Sequence, residues 1–588
     1  MYVVVMPKLG FNMDEGKLTV WYKKEGDSIK KGEPLFAIET DKTAIDVEAT
    51  QDGVVRKLFV SEGTLVPVTL PIAIIADAGE DISAAEAEAK ALLGGVSSVP
   101  AQVSDSEDSA EAAASADGAT ASSSAGKAVA SDSSYDFDVF IIGGGPGGYV
   151  AAIRAAQLGL RVAIAEKDAF GGVCLNRGCI PTKTFLRSVE VLKDVKKAAE
   201  FGIKGHDVSG AKLDMKKVQE RKKSITEGLV KGVGGLLAKN KVTTLKGEAK
   251  IIDKNTIEVN SKKYTTANLI IATGTDVQLP KDVLKTDTYL TSDDILNMTK
   301  LPKDIVIIGG GVIGVEFAYF FASAGIKTTV VEFQDRLLPM SDKDISEQVE
   351  KTLKEMGASI HTSAKVTSVT KSSVEFEENG KKTSLDTKNV LVAIGRIPVV
   401  TEDVLAIGVK TENGAIVTDE SLRTNIEGVY AIGDVNGKVM LAHKASAEGI
   451  VAVETIAGHD VKMDYFAIPN VIYIKPEIAT VGYTEETARA KYGDVKVGKF
   501  PIMANGKAHV YGDSRGMIKI IAEPEFGEIV GAHLYCASAS EMIAEMVVAM
   551  RGEMTMEEVA RSVHPHPTIA ESVHEAFLAA LNGSPIHF

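Results

Sequence analysis

Hydrophobic and polar positions follow several different rhythms along this chain of 588 residues. Through the first 76 residues, short β-rich runs (LTVWY, PLFAIE, VVRKLFV, PIAIIA) alternate with polar EGD and EGT turns, the pattern of half-buried strands. The runs recur with a fixed offset: Gly16 answers Gly53, Gly26 answers Gly63, Pro34 answers Pro71 and Ile38 answers Ile75. This predicts a flattened all-β sandwich of two similar halves, imperfect where Thr69 answers Gly32. The segment ETDKTAIDVEA joins the halves and places Lys42, flanked by Asp41 and Thr43, at a turn in solvent.

Between Leu93 and Tyr135 the rhythm disappears. That stretch is dominated by Ala, Ser, Gly and acidic residues, with no Leu, Ile, Met or aromatic side chain. It cannot bury enough apolar surface to offset its ordering entropy, and a flexible linker is expected.

Beyond it a third pattern begins. The apolar run DFDVFIIGGGPGG enters a glycine turn, the helical run YVAAIRAAQLG follows, and RVAIAE reads as a second strand. IVIIGGGVIG, VEFAYFFASAG and TTVVE repeat the arrangement. Strand, turn, helix and strand, twice over, predict an α/β body with two doubly wound Rossmann-like domains. After about residue 468, strands such as MIKIIA mix with helical stretches such as SEMIAEMVVAM, which predicts an α+β C-terminal domain.

Both glycine turns carry candidate chemistry. Gly143, Gly145 and Gly148 form GxGxxG, as do Gly309, Gly311 and Gly314; such glycines let the backbone approach a pyrophosphate at a helix N-terminus. Glu166 and Glu332 stand at the same distance beyond their respective first glycines, where a carboxylate accepts hydrogen bonds from ribose hydroxyls. The charge of Glu332 would repel a 2′-phosphate, so the second site should prefer NAD to NADP.

Charge narrows the partners. Sixty-five basic and eighty acidic residues give a net charge of −15 with no basic cluster, which argues against nucleic acid and anionic membrane surfaces. No run approaches the roughly 18 apolar residues of a membrane span. The opening MYVVVMPK has no basic segment ahead of its short apolar stretch, so no export signal and a cytoplasmic location are expected.

Only three cysteines occur, and two of them, Cys174 and Cys179, lie in GGVCLNRGCIPTK just after the first glycine turn. In a reducing compartment a disulfide is usually transient and catalytic. A helix start beside a thiol raises its thiolate fraction, which favours exchange chemistry here. Inert core thiols or half of a metal site are the alternatives, although Cys536 is the only further thiol available to such a site. Near the C-terminus, VHPHPTIAE offers His566 as a base suited to neutral pH, with Glu571 to orient it. His564 is the poorer candidate.

Taken together, these motifs make residues 135 to 588 resemble the pyridine nucleotide-disulfide oxidoreductases. The resemblance implies FAD on the first Rossmann turn and NAD on the second. FAD contacts would come from Gly143, Gly145, Gly148, Glu166, Lys183, Gly247, Thr273, Gly274, Asp434 and Ala442. Gly309, Gly311, Gly314, Glu316, Glu332 and Gly395 would serve NAD, with Glu316 also pairing with Lys183 near the flavin. Cys174 would be the interchange thiol, Cys179 the thiol facing the flavin, and His566, immediately before Pro-Thr, the base, acting from the partner subunit of a homodimer. The head resembles a lipoyl domain, with lipoate on Lys42; biotin carriers share the fold class but typically flank their lysine with Met.

The implied layout is a lipoyl domain over 1–79, a linker over 80–134, a flavin domain over 135–278 and 399–467, an NAD domain over 279–398, and a dimerisation domain over 468–588. The implied activity is oxidation of dihydrolipoyl groups with reduction of NAD. The implied partners are the lipoyl-bearing acyltransferase and decarboxylase of a 2-oxoacid dehydrogenase or related complex. Glutathione and mercuric reductases are the nearest rivals. Glu332 disfavours the first; the second is disfavoured by the lack of a cysteine pair in LNGSPIHF and of a CxxC motif in the head.

Overall fold

The computed structural model describes residues 2–7, 15–39, 44–77, 79–83, 85–87, 89, 134–205, 208 and 210–588. The chain divides into two compact units, Met1–Ser122 and Ser123–Phe588. Lys42 and residues 90–133 lie outside the described residues.

Among the described residues the head has eight strands: β1 (Tyr2–Val5), β2 (Glu15–Trp21), β3 (Ser28–Ile29), β4 (Pro34–Glu39), β5 (Ala44–Glu48), β6 (Gly53–Leu58), β7 (Leu65–Pro67) and β8 (Pro71–Ala76). They form two four-stranded sheets in the orders β1-β8-β6-β3 and β5-β4-β2-β7. Advancing every strand of the first sheet by four places, cyclically, generates the second, so the sequence repeat is a repeat of topology. Leu18, Phe36, Ile38, Val55, Val66, Ile72 and Ile75 fill the space between the sheets and are almost wholly buried. The mismatch at Thr69 is resolved at the backbone: Thr69 takes φ 72°, the same left-handed region as Gly32 at φ 87°. A β-branched residue is strained there. Past the sandwich, residues 83, 85–87 and 89 are helical and Ala89 is buried, within the stretch expected to be linker. The Ala- and Glu-rich composition of ISAAEAEAK explains this, since both are strong helix formers.

In the second unit the first nucleotide sheet runs Thr243–Lys246, Val162–Glu166, Phe137–Ile142, Lys262–Ile271 and Val429–Ala431 as parallel neighbours, and Thr256–Val259 and Ala249–Asp253 extend it antiparallel from Lys262–Ile271. Its central strands read as continuous apolar runs because both faces are covered. The second nucleotide sheet is parallel in the order Ser359–His361, Lys327–Val331, Asp304–Ile308, Val390–Val392. Thr275–Val277 pairs with Arg396–Pro398, so the strand ends leaving the two sheets are stitched together beside the site. The C-terminal region is a five-stranded antiparallel sheet with helices Ala539–Arg551 and Glu571–Asn582 packed on it.

Relieving the strain at Thr69 should stabilise the head. We expect Thr69→Gly to do so by about 0.5–1 kcal/mol, the removed strain exceeding the extra chain entropy of glycine. Slower amide exchange at Val66 and Ile72 would show it; unchanged or faster exchange would contradict it.

Candidate functional site

Two glycine turns open into one large cavity of about 2100 Å³. A drug-sized ligand fills roughly 300–1,000 Å³, so this volume suits two dinucleotides better than one. At the first turn, helix Pro146–Gln157 starts immediately after the strand, with Gly145 as its cap and Pro146 at its first position. A Cβ on Gly143 would sit 2.2 Å from the Ala272 carbonyl oxygen, and one on Gly148 would sit 1.9 Å from that of Gly143. The second turn repeats both contacts, at 2.4 Å for Gly309 against Ala393 and 1.9 Å for Gly314 against Gly309. No other residue type fits, because the obstructing atoms are backbone.

The two acidic residues are also equivalent. Glu166 accepts hydrogen bonds from the N–H groups of Gly144 (2.7 Å) and Asp168 (2.6 Å), while Glu332 accepts those of Gly310 and Gln334. Each carboxylate thus fixes its own glycine loop and keeps spare lone pairs at the cavity wall.

Between the cradles lie the cysteines. Cys174 sits within the short helix Gly172–Arg177, and Cys179 is the first residue of helix Cys179–Lys197. Both are free thiols, hydrogen-bonded to each other. That bond lowers Cys179 to about 7; burial opposes the shift, and the Lys183 charge and the backbone N–H at the helix start support it. Cys174 is driven upward, because its proton is held against the Cys179 sulfur and burial disfavours its thiolate. Of the two, Cys179 is therefore the sulfur that ionises more readily.

Lys183 comes one helical turn later. Its ammonium lies 3.0 Å from Glu316, a residue of helix Val312–Ser323, and 4.6 Å from the centre of the Tyr473 ring, while the Tyr473 N–H donates to the same carboxylate at 2.9 Å. Asp434 lies in the turn Gly433–Asn436 and lines the cavity. Burial pushes its carboxyl up, against the Lys444 charge and a 3.1 Å bond from the Thr275 hydroxyl. Ala442 opens helix Ala442–Ile456, and Gly247, Thr273, Gly274 and Gly395 also line the cavity.

His566 and Glu571 stand apart from this wall. The His566 Nδ1 is 2.7 Å from Glu571 Oε1, and the imidazole side chain is 81% exposed. Burial would raise Glu571, but the Thr568 N–H and His566 overcome it and hold the carboxylate below its ordinary range. Among the described residues no group of three His, Cys, Asp or Glu could hold a metal ion, and no helix is long and apolar enough to cross a membrane.

Residues 137–449 match the pyridine nucleotide-disulphide oxidoreductases, residues 468–577 their dimerisation domain, and residues 2–75 the biotin-requiring enzyme family. The chain belongs to the pyridine nucleotide-disulphide oxidoreductase family. Its relatives include two proteins named dihydrolipoyl dehydrogenase, from Bacillus subtilis and Geobacillus stearothermophilus. The first is 42% identical, covering 77% of this chain and 99% of that protein; the second is 42% identical, covering 78% and 98%. Among solved structures, LpdA from Mycobacterium tuberculosis superposes with a TM-score of 0.69 at 25% identity, over 75% of this chain and 98% of that one. The flavoprotein disulfide reductase RclA from Escherichia coli gives 0.66 at 27%, over 75% and 99%. The family places the chain among enzymes that use FAD and a pyridine nucleotide, and its dimerisation domain makes it a homodimer.

Two groups at the site escape a reading of sequence alone. Lys444 and Glu448 form a fully buried ion pair at 3.1 Å beneath the Gly433–Asn436 turn. Lys444 donates to the Gly433 carbonyl and Asn436, while Glu448 accepts from the Gly433 N–H, Asn436 and Tyr465. Spacing of four residues on a helix was the available signal, but it ordinarily marks a solvent-facing pair.

Removing the hydrogen bond between the sulfurs should raise the Cys179 titration. In the reduced protein, thiolate absorbance should grow in as pH rises through about 7. Cys174→Ala should move that step upward; a step that stays in place would show that the partner sulfur does not set it.

Proposed function

We infer that the chain oxidises dihydrolipoyl groups to lipoyl groups and passes the two electrons to NAD. The observation that carries this reading is the thiol pair, Cys174 and Cys179, held in the same cavity as both glycine cradles. Related chains named dihydrolipoyl dehydrogenase support the choice of substrate. A lipoyl-type head on the same polypeptide agrees with it.

In the oxidised state the two cysteines form a disulfide. A dihydrolipoyl thiolate attacks Cys174, forming a mixed disulfide and releasing Cys179 as the thiolate. The second substrate thiolate then displaces Cys174, closing the lipoyl ring and leaving the enzyme dithiol. His566 takes the substrate proton through its Nε2, which is free because Nδ1 is held by Glu571. That imidazole would come from the partner subunit. FAD, when bound, supplies a two-electron relay between the thiols and the nicotinamide. Gly143, Gly145, Gly148, Glu166 and Asp434 would hold it, and Lys183, oriented by Glu316 and Tyr473, keeps a positive charge near Cys179. Gly309, Gly311 and Glu332 would hold NAD, the buried Glu332 charge disfavouring a 2′-phosphate. Re-forming the Cys174–Cys179 disulfide yields NADH and one proton overall.

The lipoyl group on Lys42 would belong to a swinging head that serves its own dimer or the acyltransferase and decarboxylase of a 2-oxoacid dehydrogenase complex. An intact mass one lipoyl increment above the polypeptide, located on the Lys42 peptide, is the expected result.

The reading is tested by following NADH formation from dihydrolipoamide and NAD. Cys179→Ser should abolish it, and His566→Gln should slow it by about 10²–10⁴-fold. Turnover by Cys179→Ser at the unmodified rate would overturn the proposed chemistry.

A further inference from the structure

His564, two residues before the proposed base, is more than a neighbour. Its side chain is only 8% exposed. The Nε2 atom lies 2.8 Å from the Glu545 carboxylate, and Nδ1 lies 3.1 Å from the Ser562 carbonyl oxygen. Both partners are pure acceptors. Only the imidazolium, with a proton on each nitrogen, satisfies both bonds. The electrostatics agree: the Glu545 hydrogen bond raises His564, burial opposes this, and the charges of Glu545 and Glu571 add to the rise. The third group facing it is His574, whose ring centre lies 5.5 Å away and whose Nε2 is taken by the Ala560 carbonyl.

Glu545 belongs to helix Ala539–Arg551, which contributes Ile543, Ala544, Val547 and Val548 to the cavity wall. On the other side of His564, the segment leading to the base is closed by short bonds. The Thr568 hydroxyl donates to the Pro565 carbonyl at 2.7 Å, the Thr568 N–H donates to Glu571 at 2.8 Å, and Asn505 donates to the Thr568 carbonyl at 2.9 Å. The loop carrying His566 is therefore anchored at one end by Glu571 and at the other by His564.

We propose that His564 and Glu545 form a positioning pair that fixes the His566 loop against helix Ala539–Arg551, so that the base meets the substrate thiol at the right place. The inference rests on the dihydrolipoyl-oxidising role given above. His566 serves only the half of the cycle in which substrate is deprotonated. A positioning defect should therefore slow reduction by dihydrolipoamide and spare the oxidation of NADH by ferricyanide, which needs no such base.

The experiment compares wild type, His564→Ala, His564→Gln, Glu545→Gln and the double variant His564→Ala/Glu545→Gln as FAD-loaded dimers. His564→Ala should lower the dihydrolipoamide rate about tenfold or more, with the ferricyanide rate within about twofold of wild type. Gln places an N–H donor where Nε2 lies, keeps the bond to Glu545 and should recover part of the loss. The double variant should be no slower than His564→Ala, since the two side chains act as one unit. A dihydrolipoamide rate untouched in His564→Ala would overturn the proposal. So would an equal fall in both rates, which would mean general loosening, or failure of Gln to improve on Ala. If the wild type itself failed to oxidise dihydrolipoamide, the proposed function would fall first and take this inference with it.

Discussion

Two sulfur atoms close together in a partly dry cavity cannot both be ionised, because like charges at contact distance in low dielectric repel strongly. Everything around the pair decides which of them keeps the charge. Cys179 starts a helix and receives the Cys174 hydrogen bond, whereas Cys174 is raised by that bond and by burial, which the Lys183 charge only partly opposes. The asymmetry distinguishes the two sulfurs before anything binds: Cys179 ionises more readily than Cys174. It also explains why Lys183 is held so firmly. A lysine free to swing away would let Glu316, whose charge opposes the thiolate, act unopposed.

Much of this was legible in the sequence because it depends on backbone geometry that few residues allow. Gly143, Gly148, Gly309 and Gly314 are forced by carbonyl oxygens about 2 Å from where a Cβ would be, and the acids beyond each turn are forced by the N–H groups they must accept. The strand repeat of the head was readable for the same reason, each half placing equivalent glycines at equivalent turns. Thr69 shows the limit of that logic. Sequence suggested a break in the repeat, yet the backbone keeps the left-handed conformation and the threonine bears the strain.

What sequence could not convey is where long-range burial turns ordinary charges into structural ones. Lys444 and Glu448 look like a surface pair along their helix and are wholly enclosed. His564 and His566 share the same local motif, but one is packed with two acceptors and the other stands in solvent with a free nitrogen. Their roles separate only when Glu545, some twenty residues upstream, is folded against the loop. The first residues of the expected linker differ in kind: residues 83, 85–87 and 89 are helical, and their local composition accounts for it.

Two lysines, Lys183 and Lys519, share a location that their stability alone does not explain. Lys183 joins helix Cys179–Lys197 to the Val312–Ser323 helix of the second nucleotide sheet. Lys519, on the C-terminal sheet, meets Asp342 at 2.8 Å and Asp344 at 2.9 Å at the start of helix Lys343–Glu355, together with Glu485 at 2.6 Å from its own region. Asp342 also accepts the Glu485 N–H. A buried ion pair contributes little net stability against a hydrophobic replacement, since desolvation offsets attraction, but losing one partner costs several kcal/mol. Apolar packing tolerates sliding; a lysine ringed by fixed carboxylates does not. Placing such groups at the seams between sheets therefore sets the angle between them, and with it the alignment of two glycine cradles and one thiol pair along a single cavity.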